Sequence, residues 1–192
     1  MSVWAVVVAG GTGDRFGGPK QFARLGGRPV LAWALEAARP AVDGVVLVVP
    51  AGRQAEVAGT GADAVVAGGP SRAASVRAGL AAVPADASVV VVHDGARPLA
   101  STALFRAVIE AVRAGADAAV PGLAVTDTVK EVAGDAVVRS LDRQGLVAVQ
   151  TPQAFRAEAL RAAHGAEGEA TDDAALVERA GGTVRVVPGE VR

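Results

Sequence analysis

The chain has 192 residues, which suffices for one domain with a sizeable core and is too short for two separate enzymatic domains. Apolar residues make up 51% of the chain and aromatic residues only 3%, which favours helices packed on a sheet over an aromatic-rich β-sandwich. The formal net charge is -1, from 19 basic and 20 acidic residues. With no excess positive field, binding to nucleic acid or to a membrane surface is not expected.

Cysteine is absent, which excludes disulfides, thiolate catalysis, zinc–thiolate sites and iron–sulfur clusters. The reducing cytoplasm is therefore the expected location. No apolar run approaches the ~18–20 residues that span a bilayer. The first apolar run, 3–9, has no basic segment before it, so neither a signal peptide nor a membrane anchor is expected.

Short β-branched runs alternate with alanine-rich stretches of helical spacing, a pattern that predicts a three-layer, Rossmann-like α/β fold with a mostly parallel sheet. The predicted strands are 3–8, 45–49, 89–92 and 184–187. The predicted helices are 30–39, ended by Pro40, 71–83, capped by Ser71, 101–114, and 172–180, capped by Thr171.

One segment interrupts this alternation. Two extended stretches within 128–141 flank Gly134-Asp135, a plausible two-residue hairpin turn. We therefore expect a single domain, 1–192, with an inserted arm at about 127–150. Isolated hairpins are marginal in water, so the arm is expected to pack on the body or on another subunit.

A glycine-rich loop, 9–20, follows the first strand directly, where α/β sheets bind ligands. A dinucleotide fingerprint would require glycine where Phe16 stands, and a Walker A loop would require serine or threonine where Gln21 stands. The remaining features are glycines followed by Arg15 and Lys20, which suit a reacting triphosphate. The alternative is a flexible connector with surface charges.

A second glycine pair, Gly68-Gly69, precedes the helix that begins at Ser71. Helix N-termini attract anions. Arg72, Ser75 and Gly79 share one helix face, and Gly79 would allow a ligand or strand to approach closely. Ordinary helix capping explains Ser71 equally well.

The strand 89–92 runs into a polar turn. Asp94 is well placed there to bind Mg²⁺, which prefers one or two carboxylates together with substrate phosphates. The alternative for Asp94 is an Asx turn or an ion pair with Arg97. We interpret His93 as a hydrogen-bonded residue at the strand end rather than as a base.

Polar residues also cluster at the foot of the arm, at Lys130, 142–144 and 151–153. They could close over a substrate, although protection of a strand edge explains Lys130 equally well.

These segments, in this order and over almost the whole chain, resemble the 2-C-methyl-D-erythritol 4-phosphate cytidylyltransferase family, which belongs to the glycosyltransferase-A-like nucleotidyltransferases. The matching motifs are 9–15 with 19–21, 68–69 with Arg72 and 75–76, 92–98, 127–130, 151–153 and 171–174.

The resemblance implies transfer of CMP from CTP to a polyol phosphate, with Mg²⁺ as cofactor and a homodimer formed through the arm. The implied catalytic residues are Arg15, Lys20 and Arg143, with Asp94 as metal ligand. The implied CTP contacts are Ala9, Gly10, Gly11, Gly13, Gly69 and Ser75. The implied contacts to the methylerythritol phosphate are Arg97, Thr171 and, from the neighbouring subunit, Thr128 and Arg143.

Three departures from the family stand out. Pro70 occupies a position where the family often has an acid that helps to hold the nucleotide, and Gly95 replaces the commoner alanine. Beyond 189–192 the family continues into an Asn-x-Lys segment and a final helix. The resemblance therefore implies that this C-terminal segment, with a substrate-positioning lysine, is missing here.

Two alternatives stay open on the sequence. A ribitol 5-phosphate cytidylyltransferase shares most of these motifs and would differ in the residues of the substrate pocket. A catalytically weak CTP-binding module would fit the missing lysine.

Overall fold

The computed structural model describes residues 1–11, 13, 17–165 and 172–191. Helices cover both faces of a central eight-stranded sheet, which confirms the predicted three-layer α/β fold. The strands are β1 (Val3–Val8), β2 (Arg24–Leu25), β3 (Arg28–Pro29), β4 (Gly44–Val49), β5 (Ala64–Ala67), β6 (Val89–Asp94), β7 (Ala118–Ala124), β8 (Lys130–Ala133), β9 (Ala136–Ser140), β10 (Val147–Val149), β11 (Gln153–Arg156) and β12 (Val184–Pro188). The helices are α1 (Val30–Ala38), α2 (Arg72–Ala82), α3 (Thr102–Arg113), α4 (Ala157–Gly165) and α5 (Asp173–Arg179). None of these described helices has the length and hydropathy needed to cross a membrane.

The order of strands in the main sheet creates a place for a ligand. The order is β10-β7-β11-β6-β1-β4-β5, with β12 also paired to β7. Strands β6, β1, β4 and β5 are parallel, whereas β10 and β11 run antiparallel to their neighbours. The chain passes from β1 outward to β4 and β5 and then crosses to β6 on the other side of β1. The carboxyl ends of β1 and β6 therefore form the topological switch point, where α/β sheets bind ligands.

The core lies on both faces of this sheet. Along β1, Ala5 and Val7 point to the face covered by α1 and α3, and Val6 points to the face covered by α2, α4 and α5. Helix α2 packs closely, because a Cβ added at Gly79 would lie 2.4 Å from Val6 Cγ1. The predicted close approach at Gly79 is thus confirmed, with a strand as the neighbour.

All four predicted strands and all four predicted helices are present, with small differences at their ends. The residue predicted to cap the last helix is wrong. Helix α5 begins at Asp173, and its N-cap is Asp172, whose side chain accepts a hydrogen bond of 2.9 Å from the N–H of Ala175. Thr171, the predicted cap, lies outside the described residues.

The predicted arm is a separate two-stranded hairpin, β8–β9. Its turn is Gly134-Asp135, and Gly134 has a φ of +63°, a conformation that glycine adopts without strain. Every residue of both strands is exposed. Val132, Val137 and Val138 are each more than half exposed, so the described body of the chain leaves the arm's apolar side chains uncovered.

Candidate active site

A cleft of about 1000 Å³ lies at the carboxyl ends of β1 and β6, beside the N-terminus of α2. Most of the residues that the sequence singles out converge on it. Those that line the cleft are Ala9, Gly10, Gly11, Gly13, Lys20, Gly69, Ser75, Asp94 and Arg97. These positions span almost ninety residues of sequence, and the switch point of the sheet brings them together.

The first glycine loop is fastened by a buried amide. The Nε2 of Gln21 donates hydrogen bonds to the carbonyls of Ala9, at 2.6 Å, and Gly11, at 2.8 Å. Gln21 is only 3% exposed, whereas the preceding Lys20 is exposed at the cleft. No role for Gln21 is predicted from its sequence context. The structure shows that it holds the start of the loop against the turn that carries Lys20.

Gly13 makes the loop fold back on itself. Its φ is +71°, and an added Cβ would lie 1.8 Å from the carbonyl oxygen of Gly18. The N–H of Gly18 donates to the carbonyl of Gly13 at 3.1 Å. A side chain at position 13 would therefore break this closure. Arg15 lies outside the described residues, so its catalytic role stays a prediction.

The second glycine loop meets the first at Ser75. The Ser75 hydroxyl accepts a hydrogen bond of 3.2 Å from the N–H of Gly69, and a Cβ added at Gly10 would lie 3.3 Å from that oxygen. Ser71 caps α2 as predicted, because its hydroxyl accepts from the N–H of Ala74 at 3.1 Å. The cleft is thus bounded by two backbone loops that only small residues allow to come so close.

Asp94 lies at the end of β6 between two arginines. Its Oδ2 accepts from Arg97 Nε at 3.1 Å, and its Oδ1 lies 3.6 Å from Arg72 Nη2. The ion pair with Arg97 expected as an alternative is therefore present. The described residues contain no group of three or more His, Cys, Asp or Glu side chains that could hold a metal ion. A single carboxylate in a cleft suits a Mg²⁺ ion whose other ligands come from the phosphates of a nucleotide.

A buried hydrogen-bonded chain supports the turn that carries Asp94. The Thr151 hydroxyl accepts from the N–H of Asp94 at 3.1 Å and lies 3.0 Å from His93 Nδ1, while His93 Nε2 lies 3.3 Å from the carbonyl of Arg97. Burial lowers the pKa of His93 to about 4, so the ring is neutral at pH 7. Its Nε2–H then donates to Arg97 and its Nδ1 accepts from Thr151. The interpretation of His93 as a hydrogen-bonded residue at the strand end is confirmed.

Because His93 is buried and neutral, the free energy of unfolding is expected to fall in acid. The pKa of His93 is about 4 in the folded chain, below the ordinary value near 6.5 in the unfolded chain. The contribution of the neutral, buried ring to the free energy of unfolding is therefore complete above pH ~6.5 and is lost as the pH falls toward 4. We expect His93 to contribute a loss of about 2 kcal/mol in the free energy of unfolding between pH 7 and pH 5. Urea unfolding of the wild type and of His93→Gln at both pH values measures it. An equal pH dependence in the two proteins would contradict the assignment.

The arm residues lie elsewhere. Thr128 and Arg143 are exposed at the foot of the hairpin, and Arg143 Nη1 donates to the carbonyl of Thr126 at 2.7 Å. Neither Thr128 nor Arg143, both of which the structure describes, lines the cleft of its own chain. Lys130 donates across the hairpin to Ser140 Oγ, which fits its alternative as a residue of the strand edge. Thr171, also predicted to contact substrate, lies outside the described residues.

A mostly parallel sheet with a glycine-lined cleft at its switch point, and with lysine and aspartate at the cleft, defines a nucleotide-binding α/β domain. Comparison with known proteins narrows this class. Residues 3–192 match the family model described as IspD, 2-C-methyl-D-erythritol 4-phosphate cytidylyltransferase. The chain therefore belongs to this family of cytidylyltransferases.

Individual relatives agree. The chain is 46% identical to the 2-C-methyl-D-erythritol 4-phosphate cytidylyltransferase of Rubrobacter xylanophilus, covering 97% of this chain and 85% of the relative. It is 49% identical to the bifunctional enzyme IspD/IspF of Anaeromyxobacter dehalogenans, covering 98% of this chain and 52% of the longer relative. The crystal structure of the Thermus thermophilus cytidylyltransferase is similar with a TM-score of 0.84 at 38% identity, covering 100% of this chain and 90% of that chain.

Proposed function

We propose that this chain transfers CMP from CTP to 2-C-methyl-D-erythritol 4-phosphate, giving 4-diphosphocytidyl-2-C-methyl-D-erythritol and pyrophosphate. The observation that carries the proposal is the family match over residues 3–192, together with the convergence of the family's motif residues on one cleft.

CTP would occupy the cleft between the two glycine loops. The backbone near Ala9 and Gly10, with Gly69 and Ser75, would contact the cytosine and the ribose. Lys20 and Arg15 would bind the triphosphate, where fixed cations stabilise charge that develops during the reaction. Asp94 would hold the Mg²⁺ that accompanies the nucleotide, which when bound supplies further neutralisation of the charge on the triphosphate. The contacts of Gln21 and Ser75 support this arrangement, because they fix the loops before a ligand arrives.

The acceptor phosphate needs little help from a base, because a phosphate monoester is mostly dianionic at neutral pH. One of its oxygens forms a bond to the α-phosphorus of CTP as the bond from that phosphorus to the β-phosphate oxygen breaks. Pyrophosphate leaves with that electron pair. The protein's contribution would be to position the two reactants and to stabilise the charge on the leaving group.

The acceptor would contact Arg97 and, as the family resemblance implies, Thr171. A second pocket of about 190 Å³ also has Arg97 in its lining, together with Thr151. Thr128 and Arg143 would reach this acceptor from the arm of a second copy of the chain. Their position outside the cleft of their own chain and the exposed valines of the arm support a homodimer formed through the arm.

Subunit mixing tests this arrangement. Arg143→Ala and Lys20→Ala homodimers should each be nearly inactive, because every site lacks one required cation. If the arm acts on the neighbouring subunit, a mixed dimer contains one intact site. Random mixing should then restore about a quarter of the wild-type activity, because half of the dimers are mixed and each has one good site of two. Activity that stays at the level of the parent variants would contradict an arm acting in trans.

Pyrophosphate release tests the function itself. Wild-type protein with Mg²⁺ is assayed with CTP, ATP, UTP and GTP, each with methylerythritol phosphate and with ribitol 5-phosphate. The proposal predicts release only with CTP and methylerythritol phosphate. Comparable release with ribitol 5-phosphate would overturn the substrate assignment, and CTP binding without release would indicate a binding module.

A further inference from the structure

A buried carboxylate, Asp173, lies beside the cleft and pairs with two residues that the proposed mechanism does not use. Asp173, the first residue of α5, is 1% exposed. Its Oδ1 lies 2.9 Å from Nε2 of the buried His164, and its Oδ2 accepts from Arg72 Nη1 at 2.6 Å. Through these two contacts Asp173 joins α4 and α5 to Arg72, the first residue of α2, at the edge of the cleft.

Asp173 is charged in this setting. Burial alone would raise the pKa of its carboxyl group, but the hydrogen bond to His164 and the charge of Arg72 outweigh burial, and the pKa is lowered. The Arg72 side chain is 34% exposed, but its charge-assisted hydrogen bond to the buried Asp173 keeps the guanidinium on the Asp173 side of the cleft.

The guanidinium of Arg72 faces two carboxylates and bonds closely to only one. Its Nη1 is 2.6 Å from Asp173, whereas its Nη2 is 3.6 Å from Asp94 Oδ1, too far for a good hydrogen bond. Arg97 engages the other oxygen of Asp94, Oδ2. Oδ1 is therefore the oxygen of Asp94 that a cation could take most easily, provided that Arg72 does not close onto it.

We infer that Asp173 is a positioning residue for metal binding: it holds Arg72 back so that Oδ1 of Asp94 stays available to the metal ion that accompanies the nucleotide. This inference rests on the proposed function, in which Asp94 binds that ion. Without the charge of Asp173, Arg72 pairs fully with Asp94 and competes with the metal.

The measurement is the affinity for CTP by calorimetry, with Mg²⁺ and with EDTA, in the absence of any acceptor phosphate so that no turnover occurs. The dissociation constant in EDTA divided by that in Mg²⁺ reports how much the metal strengthens nucleotide binding. In Asp173→Asn this ratio should fall about tenfold, within the usual range for coupled sites. In the double variant Arg72→Gln with Asp173→Asn it should return to the wild-type value, because the competitor is gone.

The control changes a different residue, and the fallback makes a different substitution at Asp173. Glu36→Gln, which removes one partner of the exposed ion pair between Arg28 and Glu36, should leave the ratio unchanged. If Asp173→Asn does not fold, Asp173→Ser replaces it, because the smaller side chain leaves room for water beside Arg72 and His164. Melting curves establish folding of each variant.

The outcomes separate this inference from the function on which it rests. An unchanged ratio in a folded Asp173 variant, or a double variant as impaired as the single one, overturns the inference and leaves the function standing. A wild type that binds CTP equally with and without Mg²⁺ also overturns it. A wild type that does not bind CTP at all contradicts the proposed function.

Discussion

Lys20→Ala is expected to lower the turnover number with CTP and methylerythritol phosphate by roughly 10²–10³, because one preorganised donor to developing charge contributes ~3–4 kcal/mol. Lys20 lies at the cleft directly before the buried Gln21, so its backbone is fixed while its side chain is exposed at the cleft. Steady-state measurement of pyrophosphate release gives the turnover number.

The control is Arg113→Ala, which also removes one exposed positive charge, but at the end of α3 and outside the lining of the cleft. Its turnover number should stay near that of the wild type. Near-full activity of Lys20→Ala would show that its assigned role is wrong, and an equal loss in Arg113→Ala would point to a general effect of charge.

Asp94→Asn is expected to lower turnover by roughly 10² at a fixed Mg²⁺ concentration. A bound metal ion stabilises the charge that develops on phosphate oxygens by several kcal/mol, and Asp94 is the proposed ligand of that ion. The Mg²⁺ concentration that gives half-maximal activity should rise. Stability should change by less than about 1 kcal/mol, because the ion pair of Asp94 with Arg97 is partly exposed. A Mg²⁺ titration of activity and a melting curve measure the two effects.

Asp86→Asn serves as the matched control. Asp86 is an exposed carboxylate in the loop that leads into the same strand, β6, at the end opposite to the cleft. It should leave both activity and the Mg²⁺ requirement unchanged. A collapsed melting transition in Asp94→Asn with an unchanged Mg²⁺ requirement would favour a structural role for that residue.

Three of the four predicted strands, β1, β4 and β6, are buried on both faces, whereas the fourth, β12, is largely exposed and is predicted from its β-branched residues. β4 and β6 are continuous valine-rich runs, which is the pattern that central parallel strands give. β7 was missed because it contains alanines and the pair Pro121-Gly122, which normally argues against a strand. Glycine is needed there because a Cβ added at Gly122 would lie 2.7 Å from Val186 Cγ1 of the neighbouring β12. Only the assembled sheet reveals that requirement.

The candidate site divides in the same way. The first glycine loop and Asp94 each follow a predicted strand directly, and the pair Gly68-Gly69 precedes a predicted helix, so the sequence predicts each of them as a place where a ligand binds. The contacts of Arg72 with Asp173, 101 residues apart, and of Asp94 with Thr151, 57 residues apart, leave no local pattern. Asp173 could be recognised only as an acid in the first turn of a helix, which helix capping already explains.

The most direct test of the central claim is to identify the products of a single reaction mixture by phosphorus NMR. Wild-type protein with Mg²⁺, CTP and 2-C-methyl-D-erythritol 4-phosphate should convert the phosphate monoester into a diphosphate diester, with one pyrophosphate formed for each diester. Omitting the acceptor should abolish pyrophosphate formation. Orthophosphate with CDP, or pyrophosphate formed equally without the acceptor, would show hydrolysis of CTP instead and would contradict the proposed transfer.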